Sequence, residues 1–375
     1  IALLHSITAY LEDSGYVAFS AENGKAGLEI FARENPDLVL TDLHMPVLGG
    51  LEVLNTISKS SSDTPVIVIS GAGELNDAIQ ALRFGAGDYL TKPIADLQVL
   101  EHAVNKALER KQLIMENKLY AQRIEQSLKI LEEDQIAGRR VQMSLLPPET
   151  LIVKDFIFKY KIFPSLGLSG DFVEYFAITE DIYGVYLADV SGHGASSAFI
   201  TVLLKSLVAQ FQAYYRINKN GTIMSPPQMM QVLSNEIYAA KLSKYLTIIY
   251  GVMNLATNEF TYGVGGHYPN PILVKADSSA HYLPGSGFPV GIIARVDYQA
   301  QKTILNRGEY LVMFSDGIME IMSPEKNLDL KDQALLDIVV KSKGDIPTML
   351  SACGFDPETK VQQPDDITVL VIGHN

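Results

Sequence analysis

A chain of 375 residues is longer than one ordinary domain, and division by about 150 residues suggests two or three units. With 47% hydrophobic and 19% charged residues, it carries enough apolar side chain for two cores and does not have a disordered composition. A net charge of −13 argues against nucleic acid as a partner, because a phosphate backbone is bound by clustered Lys and Arg. Cys353 is the single cysteine, so no internal disulfide is expected, which fits a reducing cytoplasm. The longest apolar runs, such as Val66-Ile67-Val68-Ile69, are strand-sized and fall short of the roughly 18 residues a membrane helix needs.

Residues 1–94 alternate helical periods with short apolar strands, the pattern of a parallel sheet with helices on both faces. Leu4, Ile7 and Leu11 share a helical face ahead of Gly15. Four strands are expected, at Tyr16–Ser20, Leu38–Thr41, Pro65–Ser70 and Asp88–Leu90. Helices are expected over Gly24–Glu34, Leu51–Ser58 and Leu75–Phe84. Asp42 follows directly on the second of these strands, Ser70 ends the third, and Thr91-Lys92-Pro93 follows the fourth. Open α/β sheets place their sites at such strand ends. There, a carboxylate, a hydroxyl and an ammonium can together accept a phosphoryl group and neutralise its charge.

These residues, Pro36–Pro46 with Ser70 and Lys92, resemble a two-component receiver domain of doubly wound, flavodoxin-like fold. The resemblance implies phosphorylation of Asp42 by a sensor histidine kinase, contacts from Ser70 and Lys92 to the phosphoryl group, and Tyr89 as the aromatic that reports it. The family's first strand and its Mg²⁺-binding acidic pair precede the helix in which Ile1 stands. The parent protein is therefore expected to carry about 15–20 further residues, one strand and its turn, ahead of Ile1. Mg²⁺ binding by the receiver would depend on that pair.

From Asp96 to about Met143 there is no proline, and only Gly138 interrupts a helical pattern, so residues 95–148 read as a helical linker. Every seventh residue from Leu100 gives Leu100, Ala107, Ile114, Ala121, Leu128 and Gln135, with Ile124 and Leu131 three positions after Ala121 and Leu128. A homodimeric coiled coil is the preferred reading, and a helix lying against its own domains is the other. Arg110 and Asn117 make the seam uneven. Pro147-Pro148 stops the helix.

Residues 149–375 are strand-rich, with apolar segments at Ile182–Ala188, Leu246–Met253, Glu259–Gly263, Pro271–Lys275, Tyr310–Phe314 and Ile367–Ile372. Helical stretches at Ala195–Phe211 and Pro227–Ala239 fall between them, which predicts an α+β layered domain. Four aspartate motifs adjoin the apolar segments: Ser169-Gly170-Asp171, Ala188-Asp189-Val190-Ser191-Gly192-His193-Gly194, Ser315-Asp316-Gly317 and Pro364-Asp365-Asp366-Ile367-Thr368. Hard divalent cations take oxygen ligands, so a few carboxylates can hold a pair of them. Such a pair activates water for in-line attack on phosphorus without a protein nucleophile.

The motifs, with the Val141–Pro148 lead-in and Gly265-Gly266-His267-Tyr268-Pro269, resemble the bacterial PPM phosphatases typified by SpoIIE and RsbU, whose fold is a β-sandwich flanked by helices. The resemblance implies a protein serine/threonine phosphatase using two Mn²⁺ or Mg²⁺. Asp189 would bridge the ions with help from the Val190 carbonyl. Asp171, Asp316 and Asp365 would complete the shells, and Asp366 would support the last. Gly192, His193, Gly194 and His267 are expected behind these ligands, with a general-acid role second for the histidines.

The order receiver, helix, phosphatase is similar to the RssB type of stress-response regulator. Two outputs follow from that resemblance. One is dephosphorylation of a phosphoserine on an anti-sigma-factor antagonist; the other is a silent adaptor that delivers a sigma factor to a protease. The four aspartates favour the enzyme.

Overall fold

The computed structural model describes residues 2–61, 63–71, 75–165, 167–192, 194–322, 328–356 and 363–375. The chain divides into two units, Ile1–Leu128 and Lys129–Asn375.

In the first unit, helices α1 (Ala2–Asp13) and α2 (Gly24–Glu34) precede strand β1 (Val39–Asp42). Helix α3 (Gly50–Ser60), β2 (Val66–Gly71), α4 (Leu75–Arg83) and β3 (Asp88–Lys92) follow in alternation. The strands form a parallel sheet in the order β1-β2-β3. Both faces are covered, which is why β2 reads as an uninterrupted apolar run. Ile67 and Ile69 pack with Ile7 and Leu11 of α1, while Val66 and Val68 pack with Val53, Leu54 and Ile57 of α3.

The expected strand Tyr16–Ser20 does not form, so four strands are corrected to three. Its alternation is real, since Tyr16 and Ala18 turn to the core while Val17 and Phe19 are exposed. Among the described residues, however, no strand lies beside it to complete a ladder, and alternation without a partner gives only extended backbone.

Helix α5 runs Leu97–Ser144. Leu100, Ala103, Val104 and Ala107 near its start are buried in the first unit's core. Residues 112–137 are exposed without exception, among them Ile114, Ile124, Leu128 and Leu131 of the heptad pattern.

The second unit is a four-layer sandwich. Its strands are β4 (Thr150–Val153), β5 (Phe156–Phe163), β6 (Asp171–Ala177), β7 (Ile182–Val190), β8 (Leu246–Asn254), β9 (Glu259–Gly265), β10 (Ile272–Val274), β11 (Ala280–Tyr282), β12 (Gln301–Ile304), β13 (Tyr310–Phe314) and β14 (Ile367–His374). They make one antiparallel sheet in the order β11-β10-β13-β14-β5-β4 and another in the order β12-β9-β8-β7-β6. Inward residues of both sheets, including Phe158, Tyr175, Leu187 and Leu370, share one core.

Helices α6 (Ala195–Asn218) and α7 (Pro226–Ala239) cover the outer face of the five-stranded sheet through Tyr186, Ala188 and Val190. Helices α8 (Gly317–Ile321), α9 (Leu328–Ser342) and α10 (Ile346–Ala352) cover the six-stranded sheet through Ile367, Val369 and Val371. Burying each such side chain contributes about 1.5–3 kcal/mol, so packing on both faces of each sheet fixes the frame that carries the aspartates. Strands β4, β5 and β6 were not anticipated, although Phe156, Phe158 and Tyr160 alternate with Ile157, Lys159 and Lys161.

Candidate active site

The aspartates of the second unit come from the two opposed sheets. Asp171 opens β6 and pairs in register with Asp189, the penultimate residue of β7. Asp316 stands two residues beyond β13, and Asp365-Asp366 lead into β14. A hydrogen bond joins the sheets here, from the Thr368 hydroxyl of β14 to Asp171 Oδ2 at 2.6 Å. The loops bearing Asp316 and Asp366 can meet because residue 317 is glycine: a Cβ there would sit 2.1 Å from the Asp366 carbonyl oxygen.

Electrostatics mark these side chains as neighbours. Burial and then the charges of Asp189 and Asp366 raise the pKa of Asp171. Burial, followed by Asp316, Asp365 and Asp366, pushes Asp189 up to about 7. Asp316 has an exposed side chain at the rim, yet desolvation, Asp365 and Glu320 raise it as well. Among the described residues, no lysine or arginine is one of the groups shifting any of the three. A group of anions this poorly compensated is one in which a bound cation lowers the energy most.

Asp366 is employed differently. It is 3% exposed, and its carboxylate accepts from Ser165 N and Oγ at 2.7 and 2.9 Å, Ser169 Oγ at 2.9 Å and Gly170 N at 2.6 Å. It thereby fastens the Ser165–Gly170 loop against the start of β14. Gln142, buried near the end of α5, holds the same loop, donating to Ser169 O at 2.7 Å and accepting from Ser169 N at 3.1 Å. Gln142 lies in the lead-in motif, but nothing in its spacing marked it as a clamp.

The turn after Asp189 is shaped by Gly192 and Gly194, with φ of 75° and 82°. His193 between them lies outside the described residues. Ser197 donates to Gly192 O at 2.9 Å, and Lys244 Nζ donates to Ser191 O at 2.6 Å, which fixes the turn to the first turn of α6. His267 is buried, and both its ring nitrogens are engaged, with Thr247 Oγ1 at 3.0 Å and the Phe314 carbonyl at 2.8 Å. His267 also lines a cleft of about 440 Å³ with Tyr268, Asn270, Tyr282 and Asp332.

Among the described residues no three carboxylate, imidazole or thiol groups are drawn together closely enough to hold one metal ion as they stand. Asp171, Asp365 and Asp366 have oxygens committed to protein donors, Asp171 to Thr368, Asp365 to the Asp366 amide and Asp366 to its loop. The donor chemistry still fits a hard divalent cation, since every ligand atom is oxygen and the carboxylates resist ionising beside one another.

In the first unit, Asp42, Ser70 and Lys92 lie at adjacent strand ends. Lys92 Nζ bonds Asp42 Oδ2, and the His44 amide donates to Asp42 Oδ1 at 3.2 Å. Ser70 is fully buried and pairs with Thr91, while Tyr89 packs at the edge of the core beside Val68.

The family model described as Stage II sporulation protein E (SpoIIE) matches residues 179–375, just over half of the 375 residues. The chain belongs to the SpoIIE family. A response regulator receiver domain matches residues 2–105, so the chain joins a receiver to a PPM phosphatase domain. The SpoIIE match begins after Asp171, and the other three aspartate motifs fall within it.

"Regulator of RpoS" of Escherichia coli K12 is 25% identical over 207 residues, 54% of this chain and 59% of that protein. The chain thus matches less than two thirds of that relative's length. "Regulatory protein AtoC" of the same organism is 39% identical over 95 residues, 25% of this chain and 20% of that protein. The solved SiaA-PP2C domain of Pseudomonas aeruginosa shares the fold at 16% identity, with a TM-score of 0.53 over 66% of this chain and 99% of that domain. No helix among the described residues is long and apolar enough to cross a membrane.

Proposed function

We propose that this SpoIIE-family chain is a response regulator in which phosphorylation of Asp42 by a sensor histidine kinase governs a metal-dependent protein serine/threonine phosphatase. The observation that carries the reading is that Asp171 and Asp189 of one sheet face Asp316 and Asp365 of the other, with burial and the neighbouring carboxylates raising the pKa of Asp171, Asp189 and Asp316. Two Mn²⁺ or Mg²⁺ held by these side chains and the Val190 carbonyl would supply a water of lowered pKa and neutralise charge at phosphorus. The chain's own residues hold the frame. The β6–β7 ladder places Asp171 beside Asp189, Thr368 orients the Asp171 carboxylate, and Asp366 fixes the loop that leads into β6. The cleft beside His267 offers a surface for the peptide flanking a phosphoserine.

In the receiver, Lys92 holds the Asp42 carboxylate at the strand end and would neutralise an added phosphoryl group, with Ser70 on the next strand. Mg²⁺ there would need an acidic pair that the family carries ahead of this helix. The partners that fit are a phosphoserine protein of the anti-sigma-factor-antagonist kind and a second copy of the chain. The second copy would pair along α5, where apolar Ile114, Ile124, Leu128 and Leu131 are all exposed. A cytoplasmic setting accords with these partners and with the buried free thiol of Cys353.

The test is hydrolysis of a phosphoserine protein with Mn²⁺, with and without acetyl phosphate. The wild type should release phosphate, Asp189→Asn should not, and acetyl phosphate should change the rate unless Asp42 is replaced by Asn. A second reading, an adaptor that binds a sigma factor for delivery to a protease, draws on the likeness to "Regulator of RpoS" and on the absence of a gathered ligand set among the described residues. Equal inactivity of wild type and Asp189→Asn would favour it.

A further inference from the structure

His267 occupies a position that neither metal ligation nor acid catalysis accounts for. It follows β9 by two residues, in the five-stranded sheet. One side of its ring meets Thr247 of β8, the residue in register with Asp189. The other side meets the carbonyl of Phe314, the last residue of β13 in the six-stranded sheet, two positions before Asp316. The imidazole therefore spans from one sheet to the other at the level of the two aspartates. A carbonyl only accepts, so Nε2 carries the proton and donates to Phe314; Nδ1, left with its lone pair, accepts from the Thr247 hydroxyl. Burial favours this neutral ring, pushing the pKa down to about 4. With both nitrogens engaged at 4% exposure, neither is free to pass a proton to a leaving group.

We propose that His267 is a positioning residue, a two-ended hydrogen-bonded strut that sets the separation of Asp189 and Asp316 across the sheets and thereby the affinity of the site for divalent cation. The inference rests on the metal-site reading above. Glutamine can reproduce both bonds, its amide N–H toward Phe314 and its carbonyl toward Thr247. Leucine fills similar space with neither, and Thr247→Val removes one bond at constant shape.

The experiment is calorimetric titration of the full chain with Mn²⁺, alongside melting in chelator to confirm folding. His267→Leu should weaken Mn²⁺ binding by about 10–100-fold, as loss of a residue orienting metal ligands does elsewhere. Thr247→Val should weaken it by about 2–10-fold, one neutral hydrogen bond's worth. His267→Gln should bind far more tightly than His267→Leu. Aryl phosphate hydrolysis by the leucine variant should recover as Mn²⁺ is raised, which loss of a general acid would not allow.

The strut is overturned if folded leucine and valine variants bind Mn²⁺ as the wild type does, or if glutamine is no better than leucine. Should His267→Leu fail to fold, Thr247→Val and His267→Gln decide the matter. A wild type that takes up no Mn²⁺ overturns both the strut and the metal-site reading, whereas unchanged variants of a metal-binding wild type overturn the strut alone.

Discussion

Replacing Asp366 with alanine removes a single acceptor on which four donors converge, the amides of Ser165 and Gly170 and the hydroxyls of Ser165 and Ser169. The hydroxyls can rotate to new partners, but the amides cannot. Hydrogen bonds to a charged acceptor contribute about 1.5–3 kcal/mol each, so the two amides alone suggest a loss of roughly 3–6 kcal/mol. An opposing effect is relief of repulsion, because Asp366 is among the charges that raise Asp171 and Asp189. It stands third among the causes at Asp171 and fourth at Asp189, so the offset is the smaller effect. A net loss near 3 kcal/mol corresponds to melting about 6–12 °C lower for a unit of this size. Scanning calorimetry of the full chain in chelator measures it, with Asp366→Asn expected between the alanine variant and wild type. An alanine variant melting within about 2 °C of wild type would refute the reasoning, since the loop would then be held by something else.

The raised pKa of Asp189 sets a pH dependence. A carboxyl that keeps its proton in the folded chain up to about 7, against 3.8 in the unfolded chain, lends stability that is full below 3.8 and is lost as pH rises through about 7. Metal-free wild type should therefore melt lower above pH 7 than near pH 5, and Asp189→Asn should flatten that slope; parallel slopes would count against the clustered carboxylates. Lys205 is the ammonium partner of Glu174, whose pKa burial raises and Lys205 lowers. Lys205→Met should cost about 3 kcal/mol above neutral pH by leaving that carboxylate unpaired, and adding Glu174→Gln should restore part of it, as read by urea unfolding. Burial pushes the Cys353 thiol up to about 12, so a neutral-pH thiol reagent should modify it only after denaturation.

The aspartate motifs were legible because each sits where an apolar strand gives way to turn residues, a pattern readable along the chain. The strand at Tyr16–Ser20 was misread for the complementary reason: alternation reports which face is buried, but a strand exists only if a neighbour pairs with it. Strands β4 to β6 were missed, although β6 bears Asp171. Thr247 and Gln142 carried no local signal, since their importance lies in partners 20 and 27 residues away.

The sequence by itself determined the two kinds of unit, the oxygen chemistry of the aspartate motifs and the long helix between Asp96 and Pro147. Only the tertiary structure decided which aspartates are neighbours, that Asp366 fastens a loop, and that His267 bridges two sheets. The physical reason is that side-chain periodicity and side-chain chemistry are properties of a segment. Register between sheets, and the desolvation that raises Asp189, arise only when distant segments are packed against one another.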